Sequence, residues 1–371
     1  MRRLAMRLCG IILFFAVMAA ASAQIVSEDE RPPRGEGMLT VHYLDVGQSD
    51  CTLVEVEGEY TVMIDASDEA HADEVCGYVR ALGYNSIDVL VLTHPHSDHI
   101  GGAERVIDEF RVETVYMTDT EAHGEDAVYL GCVEDKIEEY GIERINAEEG
   151  AALTLGRLDG CFLAPCGVYF EDENEMSAIL SLSYGEHSFL FMGDAGEDAE
   201  GLLLDRGVDV SATVVKAGHH GSGGSSSRDF VEATGAEYVV ISCGDDNDYG
   251  HPSTYAIDRW ERAGAHSFRT DKDADVVACT DGESIAVGRA SDCEFWSEGR
   301  FSCSDTDTGE QTSAESEEYL LNTDSHILHV MGCVTLAERW GENIEPTSED
   351  TGRLLAEGYK KCSHCFGWLS E

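Results

Sequence analysis

The sequence predicts an α/β fold in which sheets pack face to face with helices outside, and three observations carry that reading. Short alternating or apolar runs at residues 39–44, 51–56 and 60–65 are broken by Gly or Asp, as in antiparallel strands. Further along, apolar runs at 178–184, 188–192, 212–216, 238–242 and 275–279 are interleaved with helical patterns at 199–205, 227–234 and 255–263. Finally, a helical stretch at 74–82 precedes a buried strand at 87–92, which runs directly into a loop dense in histidine and aspartate.

The remaining segments frame this domain. Met1-Arg2-Arg3 and Arg7 supply a positive start, residues 11–21 an apolar run, and Ala21-Ser22-Ala23 a small-residue cleavage site before Gln24. The expectation is a signal peptide at 1–23 and a secreted or extracytoplasmic protein. The apolar run is shorter than the ~20 residues of a span, which favours cleavage over an uncleaved membrane anchor. Residues 24–37 read as a linker, 38–288 as the main domain and 289–318 as an acidic Ser/Asp-rich linker. Residues 319–371 read as a small Cys/His module.

The formal charge of −49, from 73 acidic and 24 basic residues, leaves no basic groove for nucleic acid visible in the sequence. A polyanionic substrate would have to be attracted locally by metal. Salt adaptation would screen the self-repulsion; a merely acidic exported protein is the plainer reading. Thirteen cysteines fit an oxidising compartment. Cys161 with Cys166, and Cys293 with Cys303, are candidate local bridges, whereas Cys51, Cys76 and Cys243 sit in apolar runs as buried thiols.

The chemistry concentrates in His94-Pro-His96-Ser-Asp98-His99-Ile-Gly101-Gly102. Three imidazoles and a carboxylate at a strand end surround one point without help from the rest of the chain. That donor set suits Zn²⁺, with Mn²⁺ and Fe²⁺ as alternatives. Gly101-Gly102 is expected to let the backbone turn closely beneath the ions.

This segment resembles the signature of the metallo-β-lactamase fold hydrolases, which implies a four-layer αββα sandwich. Other motifs resemble the branch containing the metallo domain of the competence protein ComEC. They are Asp45-Val-Gly47-Gln48-Ser49-Asp50, with Ser49 where the family has a second glycine, and Ile64-Asp65-Ala66. They continue with Asn174-x-x-Ser177, Gly193-Asp194, Lys216-x-x-His219-His220-Gly221-Ser222 and Tyr249-Gly250-His251-Pro252-Ser253. The resemblance covers about residues 38–288.

It implies two divalent ions, His94 and His96 on one, Asp98 and His99 on the other, Asp194 bridging, and a hydroxide between them as nucleophile. His219 or His220, with His220 preferred, and His251 are the candidates to complete the two sites. The other of the pair would orient its neighbour or donate a proton to the leaving group. Asp45, Gln48, Asp65, Asn174, Ser177 and Ser222 are candidates for supporting or substrate-contacting roles. Lys216 is the candidate for a phosphate contact, because so acidic a chain has few cations to offer.

The tail contains Asn322-Thr323, His329, Cys333 and Gly358-Tyr359-x-x-Cys362-x-x-Cys365, and resembles the small Ada-like zinc-binding module that follows several extracellular nuclease domains. Lys361 stands where that pattern has proline. The resemblance implies a structural zinc held by His329, Cys333, Cys362 and Cys365; the alternative is disulfides or free thiols. The expected function is a metal-dependent phosphodiesterase or nuclease acting on DNA or RNA. Hydrolysis of small phosphoesters, such as phosphocholine on a cell-wall polymer, and a non-catalytic DNA- or wall-binding protein are the alternatives. Oligomeric state is not legible.

Overall fold

The computed structural model describes residues 37–56, 59–245 and 247–294, and beyond them the backbone of a few short strands. The expected signal peptide, the first linker and the side chains of His329, Cys333, Cys362 and Cys365 lie outside the described residues. Among the described residues, no helix is long and apolar enough to cross a membrane.

The chain opens with β1 (Leu39–Tyr43), β2 (Thr52–Val56) and β3 (Tyr60–Ile64), paired antiparallel in succession. β4 (Ser86–Leu92), β5 (Arg111–Met117) and β6 (Glu143–Asn146) then add in parallel. The helices Ala72–Ala81, Ala103–Glu109 and Asp126–Tyr140 make the crossovers, as parallel pairing requires. The second half supplies β7 (Ala152–Leu155), β8 (Leu158–Ala164), β9 (Ile179–Tyr184) and β10 (His187–Phe191), all antiparallel. β11 (Val214–Lys216), β12 (Tyr238–Ile241) and β13 (His266–Arg269) follow in parallel. β14 (Val276–Thr280) and β15 (Ile285–Arg289) return to the first sheet beside β1. The result is an eight-stranded sheet ordered β15-β14-β1-β2-β3-β4-β5-β6 and a seven-stranded sheet ordered β13-β12-β11-β10-β9-β8-β7.

Strand alternation sorts the apolar residues into three layers of core. Leu39, Val41 and Tyr43 from one sheet meet Phe162, Leu180, Phe189 and Phe191 from the other in the central layer. Leu53, Met63 and Leu90 face the opposite way, against Val75, Val79 and Val106 of the first group of helices. Leu190, Val215 and Ile241 face Leu203, Phe230 and Trp260 of the helices Glu197–Asp205, Arg228–Thr234 and Thr254–Ala263. Helices, sheet, sheet, helices is the four-layer order that the sequence predicts.

Residues 103–177 carry elements that the sequence pattern did not resolve, among them β5–β8 and the helix Asp126–Tyr140, whose mixed polar faces blur the periodicity. One cysteine expectation is overturned. Cys161 and Cys166 are both free; their thiols reach only nearby backbone carbonyls, of Phe162 and Leu163. Cys51, Cys76 and Cys243 are buried free thiols, as expected. β1's neighbour Cys279 is another, and burial pushes its thiol up to about 12. In the backbone ladder Cys293 and Cys303 stand directly opposite each other.

Candidate metal centre

The parallel strands of both sheets end along one rim of the sandwich, where backbone leaves the sheet and side chains can converge. β3 delivers Asp65, β4 delivers His94 to His99, β10 delivers Asp194 and β11 delivers His219 and His220. Two cross-links between backbones hold this rim together: Asp50 N–H donates to Asp98 O and Ala178 N–H to Thr93 O.

Gly101 and Gly102 serve close approach rather than a turn. Both have ordinary helical backbone angles. A Cβ on Gly102 would lie 2.1 Å from the Ala66 carbonyl, and one on Gly101 2.4 Å from the Ser97 carbonyl and 2.8 Å from the Glu69 nitrogen. Gly102→Ala is therefore expected to cost about 3 kcal/mol, the upper range for overpacking, read from the shift in a denaturant midpoint. A loss below about 1 kcal/mol would mean the two loops part easily.

Asp98, His99, Asp194 and His220 present ligand atoms within 4.8 Å of one another. His99 Nε2 lies 3.3 Å from Asp194 Oδ1, and His220 Nε2 lies 3.3 Å from Asp98 Oδ2 and 3.6 Å from Asp194 Oδ2. Tautomers are set from behind. His99 Nδ1 donates to Asp65 at 2.8 Å and His220 Nδ1 to the Ser242 carbonyl at 3.1 Å, leaving both Nε2 atoms as lone pairs aimed inward. His94 Nε2 and His96 Nδ1 face each other at 3.0 Å beside this group, with Asp194 Oδ2 4.0 Å from His94.

The residues fit a divalent cation. His99 Nε2 and Asp194 Oδ1 are buried without a hydrogen-bond partner, an expensive arrangement unless a cation joins them. Electrostatics say the same. Burial alone would raise the Asp98 and Asp194 carboxyls, but the facing His99 and His220 outweigh it and hold both well below the usual range. Burial would likewise lower His99 and His220, yet Asp194 with Asp65 and Asp98 raises the first, and Asp194 with Asp50 the second. The buried carboxylates thus favour positive charge at this point. Burial first and then His99 push His94 well below the usual imidazole range.

A family model described as the metallo-beta-lactamase superfamily matches residues 44–245, more than half of the chain. The chain belongs to the metallo-beta-lactamase superfamily. ComE operon protein 3 of Bacillus subtilis (strain 168) is 26% identical over 202 residues, 54% of this chain and 25% of that one. Competence protein ComA of Neisseria gonorrhoeae is 29% identical over 246 residues, 65% of this chain and 32% of that one. The chain thus spans about a quarter to a third of the length of these curated relatives. Among solved structures, Igni18, a metallo hydrolase from the archaeon Ignicoccus hospitalis, superposes with a TM-score of 0.43 at 17% identity, covering 65% of this chain and 98% of that one.

Within this superfamily domain the expected site residues fall into three groups. Asp98, His99, Asp194 and His220 converge, with His94 and His96 adjoining. His219 reaches Asp194 Oδ2 at 3.8 Å from a partly exposed position. His219 and His220 both have left-handed backbone, with φ of 47° and 52°. Strained non-glycine backbone of this kind persists where surrounding structure over-determines it, and here it splays two adjacent imidazoles into one site.

A second group supports the first. Asp65 accepts from His99, from Thr93 N–H and from Thr93 Oγ1. Ser177 Oγ accepts from Asp194 N–H at 3.1 Å. Gln48 accepts from Gly244 N–H, and its amide nitrogen lies 3.5 Å from His251 Nδ1. Asn174 opens the short turn that leads to Ser177, and its Oδ1 is buried without a hydrogen-bond partner.

The third group lies outside the four-ligand cluster. His251 lies beside the His219–His220 pair, ring centroids 5.4 and 6.4 Å away. Burial and those two imidazoles push it down to about 4, so it is neutral near pH 7. Asp45 is exposed and faces the Gly47 N–H of its own turn, and Ser222 accepts from Gly224 N–H; both are loop formers. Lys216 is buried, with Nζ donating to Asp50 Oδ2 at 2.5 Å and to the Ala217 carbonyl at 2.9 Å. It is enclosed beneath the site and does not offer its charge at the mouth. It also answers the need for a cation in the close group Asp50, Asp65 and His99.

Two residues escaped the sequence reading. Asp50 stands in a quoted motif, yet its role depends on Lys216, 166 positions away. Glu173 accepts from His96 and from His123. Its one sequence signal is its place directly before Asn174.

Proposed function

We propose that this chain is an exported, metal-dependent phosphodiesterase that cleaves nucleic-acid strands. The observation that carries the reading is the buried, cation-demanding convergence of Asp98, His99, Asp194 and His220 at the rim where both sheets end. Competence protein ComA and a further relative, Recombination protein 2 of Haemophilus influenzae, support nucleic acid as substrate, since recombination is a reaction of DNA strands. The latter is 23% identical over 227 residues, 60% of this chain and 26% of that one.

Divalent cations in such a site supply Lewis acidity and a water acidified towards neutrality. His94, His96 and Asp194 would hold one, and Asp98, His99, His220 and the shared Asp194 the other. Asp65, the Ser242 carbonyl and Glu173 fix which nitrogen His99, His220 and His96 turn inward. His219, partly exposed at the mouth, is placed to pass a proton to the departing oxygen. With Lys216 taken up by Asp50, attraction of a phosphate falls to the cations themselves. Zinc is the expected metal, manganese the alternative, and a structural zinc on His329, Cys333, Cys362 and Cys365 belongs to the same proposal.

The charge of −49 favours one competing reading, a small phosphoester as substrate, because a polyanion is repelled at long range. Hydrolysis of bis-p-nitrophenyl phosphate and of single- and double-stranded DNA, with Zn²⁺ or Mn²⁺ at low and high salt, separates the two. Metal-dependent DNA cleavage that is lost in Asp98→Ala is the expected result. Turnover of the small ester alone would transfer the assignment to small phosphoesters, and turnover of neither would remove hydrolysis of phosphoesters altogether.

A further inference from the structure

The candidate ligands differ in what holds them. The side chains of His94 and His99 are fully buried and that of His220 nearly so, whereas that of His96 is a quarter exposed. Packing therefore does not fix the His96 ring. What fixes it is Glu173, whose Oε2 accepts from His96 Nε2 at 2.9 Å. Its other oxygen, Oε1, accepts from His123 Nδ1 at 2.6 Å, and His123 is itself exposed. With both oxygens occupied, the carboxylate holds the proton of His96 on Nε2, so that Nδ1 carries the lone pair. That lone pair is the one facing His94 Nε2 at 3.0 Å.

The segment bearing Glu173 is pinned on its far side. Glu175 Oε2 accepts from the backbone N–H groups of Gly196 and Ala199 at 3.1 and 2.8 Å, and Ser177 Oγ accepts from Asp194 N–H. One five-residue stretch thus grips His96 at one end and the backbone of Asp194 at the other.

We infer that Glu173 is a positioning residue for the cation held by His94 and His96, and that the two cation positions are unequal, with the Asp98–His99–His220 position independent of it. The inference rests on reading these side chains as ligands. Carboxylates that orient a ligating histidine contribute about 10- to 100-fold in metal affinity.

The test is cobalt binding to the full chain, stripped by dialysis against a chelator and titrated with Co²⁺ while the visible spectrum and bound metal are followed. Comparing variants with the parent cancels whatever the tail binds. Glu173→Ala should weaken one equivalent about 10- to 100-fold and leave the others unchanged. Glu173→Gln, which keeps a carbonyl to accept from His96, should restore most of that affinity and the parent spectrum.

Parent-like binding of every equivalent by Glu173→Ala would overturn the inference, and so would equal weakening of all of them. Failure of the parent chain to bind cobalt at histidine would instead overturn the metal reading itself.

Discussion

Asp194→Asn is expected to lower metal-dependent hydrolysis by at least about 10³-fold, the scale of removing one member of an assembled catalytic unit. Both carboxylate oxygens are engaged: Oδ1 faces His99 Nε2 at 3.3 Å, and Oδ2 faces His94, His219 and His220 at 3.6–4.0 Å. An amide places a donor where one of these oxygens was and removes a buried negative charge that several imidazoles depend on. The backbone N–H bond to Ser177 stays, so the loop keeps its anchor while the buried charge is lost. Activity against bis-p-nitrophenyl phosphate, with bound metal measured on the same sample, checks this. Activity within tenfold of the parent would show that Asp194 is not shared between two cations.

Lys216→Met should act on stability instead. The ammonium and the Asp50 carboxylate form an ion pair with side chains 3% and 5% exposed, so neither has water to fall back on. Removing one partner of such a pair typically costs about 3–5 kcal/mol, because the other is left charged in a poor dielectric. Among the described residues no other side chain donates a hydrogen bond to the Asp50 carboxylate. Its Oδ1 makes no hydrogen bond, and the nearest imidazole nitrogen, His220 Nδ1, is 3.5 Å away and donates to Ser242. Denaturant unfolding of the metal-free chain measures the loss, and adding Asp50→Asn to Lys216→Met should recover part of it. A loss below about 1 kcal/mol, the ordinary scale of a surface pair, would place the lysine in water.

The histidine-rich loop was legible because its four candidate ligands lie within six residues of one strand end, so local backbone geometry alone brings them near one point. The sandwich was legible because β1 alternates Leu39, Val41 and Tyr43 with Thr40 and His42, while β10 and β12 carry the unbroken apolar runs of strands covered on both faces. The long middle segment was not, because the helix Asp126–Tyr140 buries only Val133 and Ile137 on a largely polar surface. Lys216 misled for a definite reason. Scarcity of cations suggested a substrate contact, but β11 lies inside the second sheet between β10 and β12, where a long side chain ends under the site.

By itself the sequence determined the layered α/β architecture, the strand that feeds the histidine-rich loop and most of the candidate ligands. These follow from periodicity and from residues adjacent in the chain. Tertiary structure alone decided which nitrogen each histidine turns inward, the burial of Lys216 on Asp50 and the grip of Glu173 on His96. Each of these depends on a partner 22 to 166 positions away, from His220 with Ser242 to Lys216 with Asp50. No local pattern encodes such a distance; only the packing of the two sheets closes it.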